Sequence, residues 1–174
     1  MQINQPSNPL IRIAGGIAIV NGIVSLIGVV ALIAMFVLFA TERQELAMVF
    51  GMFNDICVAL QYLLTIPIAL AVYQILQAGN PKLIRVTTIV GIVSMVLVIG
   101  LQLLLIFEVL TFEQQGVWVS IAMILGVGFW LAVTGLAARS TGKLPNSLLM
   151  SILAVPYVGY PIWSFWLGQH LLGW

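Results

Sequence analysis

From Ile13 to Ala40 the chain runs for about 28 residues without one charged side chain. A helix of ~20 apolar residues crosses a hydrocarbon core ~30 Å thick, so this run alone restricts the solvent in which the chain can fold. Four more apolar runs follow, roughly Leu46 to Gln77, Val86 to Thr111, Val117 to Ala138 and Ser147 to Leu172, the first of these carrying Asp55 and the second Glu108. They are separated by short charged or turn-rich breaks. Helices are expected because a membrane barrel would alternate polar and apolar residues along each strand, and these runs do not. The sequence therefore predicts one domain, residues 1–174. It is an all-α integral membrane bundle of five transmembrane helices with tight loops between antiparallel neighbours.

Composition agrees with that solvent. Hydrophobic residues make up 62% of the chain and charged residues 6%, against about a quarter charged in soluble domains. A net charge of +1 leaves no footprint for nucleic acid. The first run is too long for the apolar core of a secretory signal peptide and reads as a retained crossing.

Charge distribution sets an expected orientation. With a cytoplasmic amino terminus, Arg12, Lys82, Arg85, Arg139 and Lys143 face the cytoplasm and only Arg43 faces out, which follows the positive-inside rule. Glu42, Glu45, Asp55, Glu108 and Glu113 then lie at or toward the outer face. Five crossings place the carboxyl terminus outside. Trp118, Trp163, Trp166 and Trp174 are expected in the outer aromatic belt, with His170 beside them as an interfacial histidine.

Lipid gives no hydrophobic drive to helix pairing, so close approach through small residues must supply contact energy. In the first helix Ala14, Ala18, Asn21, Ser25, Gly28 and Ala31 recur at steps of three and four, on one face. Thr87, Gly91 and Ser94 repeat the pattern in the third helix, and Gly128, Ala132 and Gly135 in the fourth. These are read as packing seams, with a lined substrate path as the alternative.

Asp55 is the acid that matters most. Either it is a carboxylate buried at depth, where a partner or water is required, or Asn54 or Asp55 caps a crossing that begins at Ile56. Tyr62 and Tyr73 share its helical face, Gln61 and Thr65 flank that face, and Gln102 is the preferred hydrogen-bond partner. Pro67 should kink the second helix. Pro156 and Pro161, with Gly159 between them, should kink or unwind the fifth. Irregular backbone is tolerated at membrane depth only where protein or water covers it. A polar pocket of Asp55, Gln102, Tyr62, Tyr157 and Tyr160 facing the broken fifth helix is one reading; a simple bend over a tapered bundle is the other.

The lone cysteine, Cys57, can form no internal disulfide, and no Cys or His spacing suits a metal. There is no phosphate-binding loop, no nucleotide fingerprint, and no nucleophile paired with a histidine at depth. No catalytic residue or cofactor is expected. The stretches "NDICVALQYLLTIPIALAVYQIL" and "LAARSTGKLPNSLLMSILAVPYVGYPIW" resemble a family of small bacterial and archaeal multi-pass membrane proteins known only as a domain of unknown function. That resemblance implies a prokaryotic cytoplasmic membrane and no specific chemistry. The expected function is non-enzymatic, an accessory or assembly component working through the lipid bilayer, other membrane proteins or a second copy of itself. The alternative is a small transporter or ligand-binding protein using Asp55 as an outward-facing proton or cation site. A quinone or lipid head-group enzyme is a third reading.

Overall fold

The computed structural model describes residues 9–142, 144 and 156–173. All regular structure among them is helical. We label the helices α1 (Pro9–Ala40), α2 (Gln44–Leu76), α3 (Pro81–Ile106), α4 (Phe112–Thr141) and α5 (Pro156–Leu172). The first four are long and apolar enough to cross a membrane.

Helix ends are set by local chemistry, not by the limits of the apolar runs. Asn80 caps α3 by accepting from the Leu83 amide, with Pro81 at the first helical position, where its missing N–H costs no intrahelical bond. Lys82 and Arg85 therefore sit inside the helix, where hydropathy alone ends it. Thr111 and Gln114 form a reciprocal capping box that starts α4 at Phe112. Between these elements, Glu42 and Glu108 take φ of 61° and 58°, and these left-handed residues make the two turns tight. Gly142, at φ 63°, closes α4.

Packing follows small residues. The buried face of α1 comprises Ile11, Ala14, Gly15, Ala18, Asn21, Gly22, Ser25, Gly28, Ala31 and Met35, a stripe at steps of three and four. A Cβ on Gly28 would lie 3.1 Å from Cys57 Cβ, and one on Gly51 would lie 3.0 Å from Met35 Sδ. These contacts set α2 antiparallel to α1. In the same way Gly91 lies against the Trp130 ring, and Gly126 leaves no space for a Cβ beside Ser94, so α4 is antiparallel to α3. Within α4, Ala122–Gly128 is a π-helical segment, an i→i+5 winding that shifts the helical face. Gly126 and Gly135 are buried while Gly128 and Ala132 are half-buried. Gly135 therefore lies on the buried face of α4, with Gly128 and Ala132 at its margin.

The bundle thus has two ends. The start of α1, the α2–α3 turn and the end of α4 carry Arg12, Lys82, Arg85 and Arg139; we call this the basic end. The α1–α2 and α3–α4 turns carry Glu42, Arg43, Glu45, Glu108 and Glu113 and form the acidic end.

Helix α5 departs from the expected topology. A Cβ on Gly15 would lie 2.9 Å from the Leu172 amide nitrogen, a Cβ on Gly168 would lie 2.8 Å from Gly15 O, and Gly22 meets the Phe165 ring. Rising numbers on α1 meet falling numbers on α5, so α5 runs antiparallel to α1 and parallel to α4. Its Leu172 end lies at the basic end, beside the start of α1. The expectation that the chain ends on opposite faces is therefore not met: an apolar run long enough to cross need not run in the direction that counting implies. His170 and Trp166, stacked with ring centroids 6.2 Å apart, lie toward the basic end, not in an outer belt. Lys143, Trp174 and the start of the expected fifth crossing, from Ser147, lie outside the described residues.

Candidate functional site

Three helices meet at a buried polar junction. Asn21 of α1 is fully buried, and its Nδ2 donates to Thr65 Oγ1 of α2 at 3.2 Å and to Tyr160 Oη of α5 at 3.1 Å. Thr65 and Tyr160 are hydrogen-bonded to each other, and the Thr65 hydroxyl donates to Gln61 O, one turn back, at 2.6 Å. With the Thr65 proton on Gln61 O, Thr65 Oγ1 accepts from Tyr160, and Tyr160 Oη accepts from Asn21. Every hydroxyl proton in the set has an acceptor. Asn21 Oδ1 alone has no partner.

The junction lies deep. Asn21 is about twelve residues from Pro9 and Thr65 about eleven from Leu76, so both stand roughly 17 Å from the basic end at 1.5 Å per residue. An unpaired hydroxyl or amide costs most at this depth because no water competes for it, which is why the three groups satisfy one another.

Aromatic rings extend the junction to the remaining helices. Tyr160 and Trp163 centroids are 5.4 Å apart, and Trp163 meets Trp130 of α4 edge to face at 6.2 Å with planes at 87°. Trp130 is fully buried, Trp163 is 3% exposed, and Gly91 of α3 lies directly on the Trp130 side chain. Trp163 was expected at the outer rim; the direction of α5 carries it inward instead. The indole N–H groups of Trp130 and Trp163 and the hydroxyls of Ser25, Thr88 and Ser164 are buried without partners. The junction is packed by rings and held by few hydrogen bonds.

Two members of the pocket expected around Asp55, Gln102 and Tyr160, have other partners. Gln102 Oε1 accepts from Gln115 Nε2 at 2.9 Å, both side chains being buried, so Gln102 joins α3 to α4 near the acidic end. Asp55 is half-buried beside the side chain of Asn54, about eleven residues into α2. Because α2 is continuous from Gln44 through Pro67 to Leu76, neither Asn54 nor Asp55 caps a helix. Tyr62 is buried in the core. Tyr160 belongs to the Asn21 junction, some ten residues along α2 from Asp55, and the Tyr157 side chain lies outside the described residues. Pro161 falls within α5 and Pro156 is its first described residue. Ala18, Ser25 and Gly28 lie on the buried face of α1, and Gly91 on that of α3.

Asn21 and Thr65 were legible only as a packing residue and a flank of the Asp55 face. A signal was present: each is a small polar residue near the middle of an apolar run. Gln115 was missed because it sits among residues read as a loop.

With this geometry in place, the chain can be set beside known proteins. No family model matches it, and no curated protein or solved structure matches it. Function must be argued from the molecule. Among the described residues no group of three or more His, Cys, Asp or Glu side chains is placed to hold a metal. A groove of about 270 Å³ between α3 and α4 is lined by Leu97, Leu101, Trp118, Ile121 and Ala122, a surface suited to hydrocarbon.

Proposed function

We propose that the protein is a non-enzymatic membrane component that works through contacts of its helices with lipid and with other helices. The observation that carries this reading is the Asn21–Thr65–Tyr160 junction. Asn21, Thr65 and Tyr160 bond to one another at mid-depth and join α1, α2 and α5, an arrangement that fixes a bundle. The outward face of α1 supports it, with Ile13, Val20, Val30, Ile33 and Phe36 exposed to the surroundings. In this reading α1 to α4 cross the membrane and α5 returns to the side from which α1 starts. The basic end faces the cytoplasm, by the bias of Lys and Arg. A prokaryotic cytoplasmic membrane fits the family resemblance of the sequence.

A second reading retains the transporter, because Asp55 is a carboxyl group half-buried within a helix of membrane length. Ion flux separates the two. Purified protein in liposomes loaded with a pH-sensitive dye should pass protons, sodium and potassium no faster than protein-free liposomes. Flux that Asp55→Asn abolishes, with the protein still folded, would overturn the first reading in favour of the second.

A further inference from the structure

Charge is segregated along the bundle. Arg12, Lys82, Arg85 and Arg139 are exposed at the basic end, and none has an ion-pair partner among the described residues. The acidic turns are too far away to compensate: α3 has 26 residues, or ~39 Å at 1.5 Å per residue, against a screening length of about 8 Å in physiological salt. Nor do these cations support their own helices. Lys82 and Arg85 occupy the first turns of α3, where the helix dipole already presents positive charge, and their i, i+3 spacing sets like charges side by side. Their placement disfavours α3 unless an anion sits beside them.

The nature of that anion follows from what borders the cations. On α3, exposed Val86, Ile89 and Val93 continue the outward face from Lys82 and Arg85. The end of α4 lies alongside, with Thr141 against Gly79 of the α2–α3 turn, which brings Arg139 to the same level. A ligand matching this face has an anionic group at one end and hydrocarbon below it. A soluble polyanion would satisfy only the first half.

We propose that the basic end of the bundle is a docking surface for anionic phospholipid, with Lys82, Arg85 and Arg139 holding the head-group phosphate and the apolar face of α3 holding an acyl chain. This deepens the proposed action through lipid contacts and rests on it. The partner is the bilayer lipid, not free phosphate.

The test is lipid retention by native mass spectrometry. Protein is reconstituted into vesicles of phosphatidylcholine with a minor fraction of phosphatidylglycerol, then extracted gently. Wild type should retain phosphatidylglycerol over phosphatidylcholine, and Lys82→Gln and Arg85→Gln should each lower that preference about fivefold, the weight of one basic residue near an anionic surface. High salt should weaken it, millimolar inorganic phosphate should not compete, and Glu42→Gln with Glu113→Gln should leave it unchanged. Equal retention of the two lipids by wild type would overturn the proposal. So would full retention by a Lys82→Gln, Arg85→Gln double variant, or displacement by inorganic phosphate. Single variants guard against failure of the double variant to insert. Ion flux by the wild-type protein would favour the transporter reading over the contact-based one without touching this result.

Discussion

Trp130→Ala is expected to destabilise the protein by about 3–5 kcal/mol, the range for removing a large buried aromatic side chain. Trp130 is fully enclosed, with Gly91 against one side and the edge of Trp163 on another. In lipid the contribution of such a ring comes from packing, because a tail of hydrocarbon is as apolar as the ring it would replace. The cavity left by alanine lies at the level where α3, α4 and α5 converge, and the Gly91 backbone can close on it only if α3 shifts. Trp130→Phe makes the comparison sharper. The indole N–H has no partner, so phenylalanine removes a donor that is buried unsatisfied while keeping most of the ring, and its cost should be a small fraction of alanine's. Thermal unfolding in detergent, followed by circular dichroism, reads both variants. Similar losses for alanine and phenylalanine would mean that the N–H, not the ring, holds the junction.

Gly168→Val should detach α5 from α1. A Cβ at Gly168 would come within 2.8 Å of Gly15 O and within 2.8 Å of Ile19 Cδ1. Ile19 can rotate aside, but the Gly15 carbonyl belongs to a helix backbone and cannot. The helices must therefore separate, at about 1–3 kcal/mol for overpacking alone. Because Tyr160 reaches Asn21 across the same interface and Thr65 of α2 beside it, separation also costs those two hydrogen bonds. The control is Gly16→Val, one residue along α1 from Gly15. A Cβ there meets nothing within 4 Å, so this variant should unfold close to wild type. Equal loss from Gly16→Val and Gly168→Val would show that α5 does not rest on this face.

The packing face of α1 could be read from the sequence because lipid leaves small residues as the main means of close helix approach, and Ala14, Ala18, Asn21, Ser25, Gly28 and Ala31 recur at helical spacing. The first four helices were legible for the same reason: apolar runs of that length form helices in a bilayer. Partners across helices were not. Gln102 could be placed at a depth near that of Asp55, but depth does not select a neighbour. Gln115 took it because the short α3–α4 turn brings the two glutamines together. The π segment of α4 was equally hidden, since Ala122–Gly128 reads as ordinary apolar helix until the side chain of Ser94 is seen against Gly126. The direction of α5 lay beyond hydropathy altogether. A run from Ser147 to Leu172 is long enough to cross, and only the contacts of Gly15 with Gly168 and of Asn21 with Tyr160 set it antiparallel to α1. His170 and Trp163 were misplaced by that same assumption.

The return of α5 to the basic end is the claim on which the rest of the architecture depends, and the side of the membrane reached by the carboxyl terminus tests it most directly. Paired carboxyl-terminal fusions to green fluorescent protein and to alkaline phosphatase, expressed in a bacterial inner membrane, report that side. Strong fluorescence and an inactive phosphatase are expected, with an amino-terminal tag protected from external protease in the same cells. An active phosphatase with a dark fluorescent fusion would place the carboxyl terminus outside, make α5 a complete outward crossing, and contradict the packing of α5 against α1.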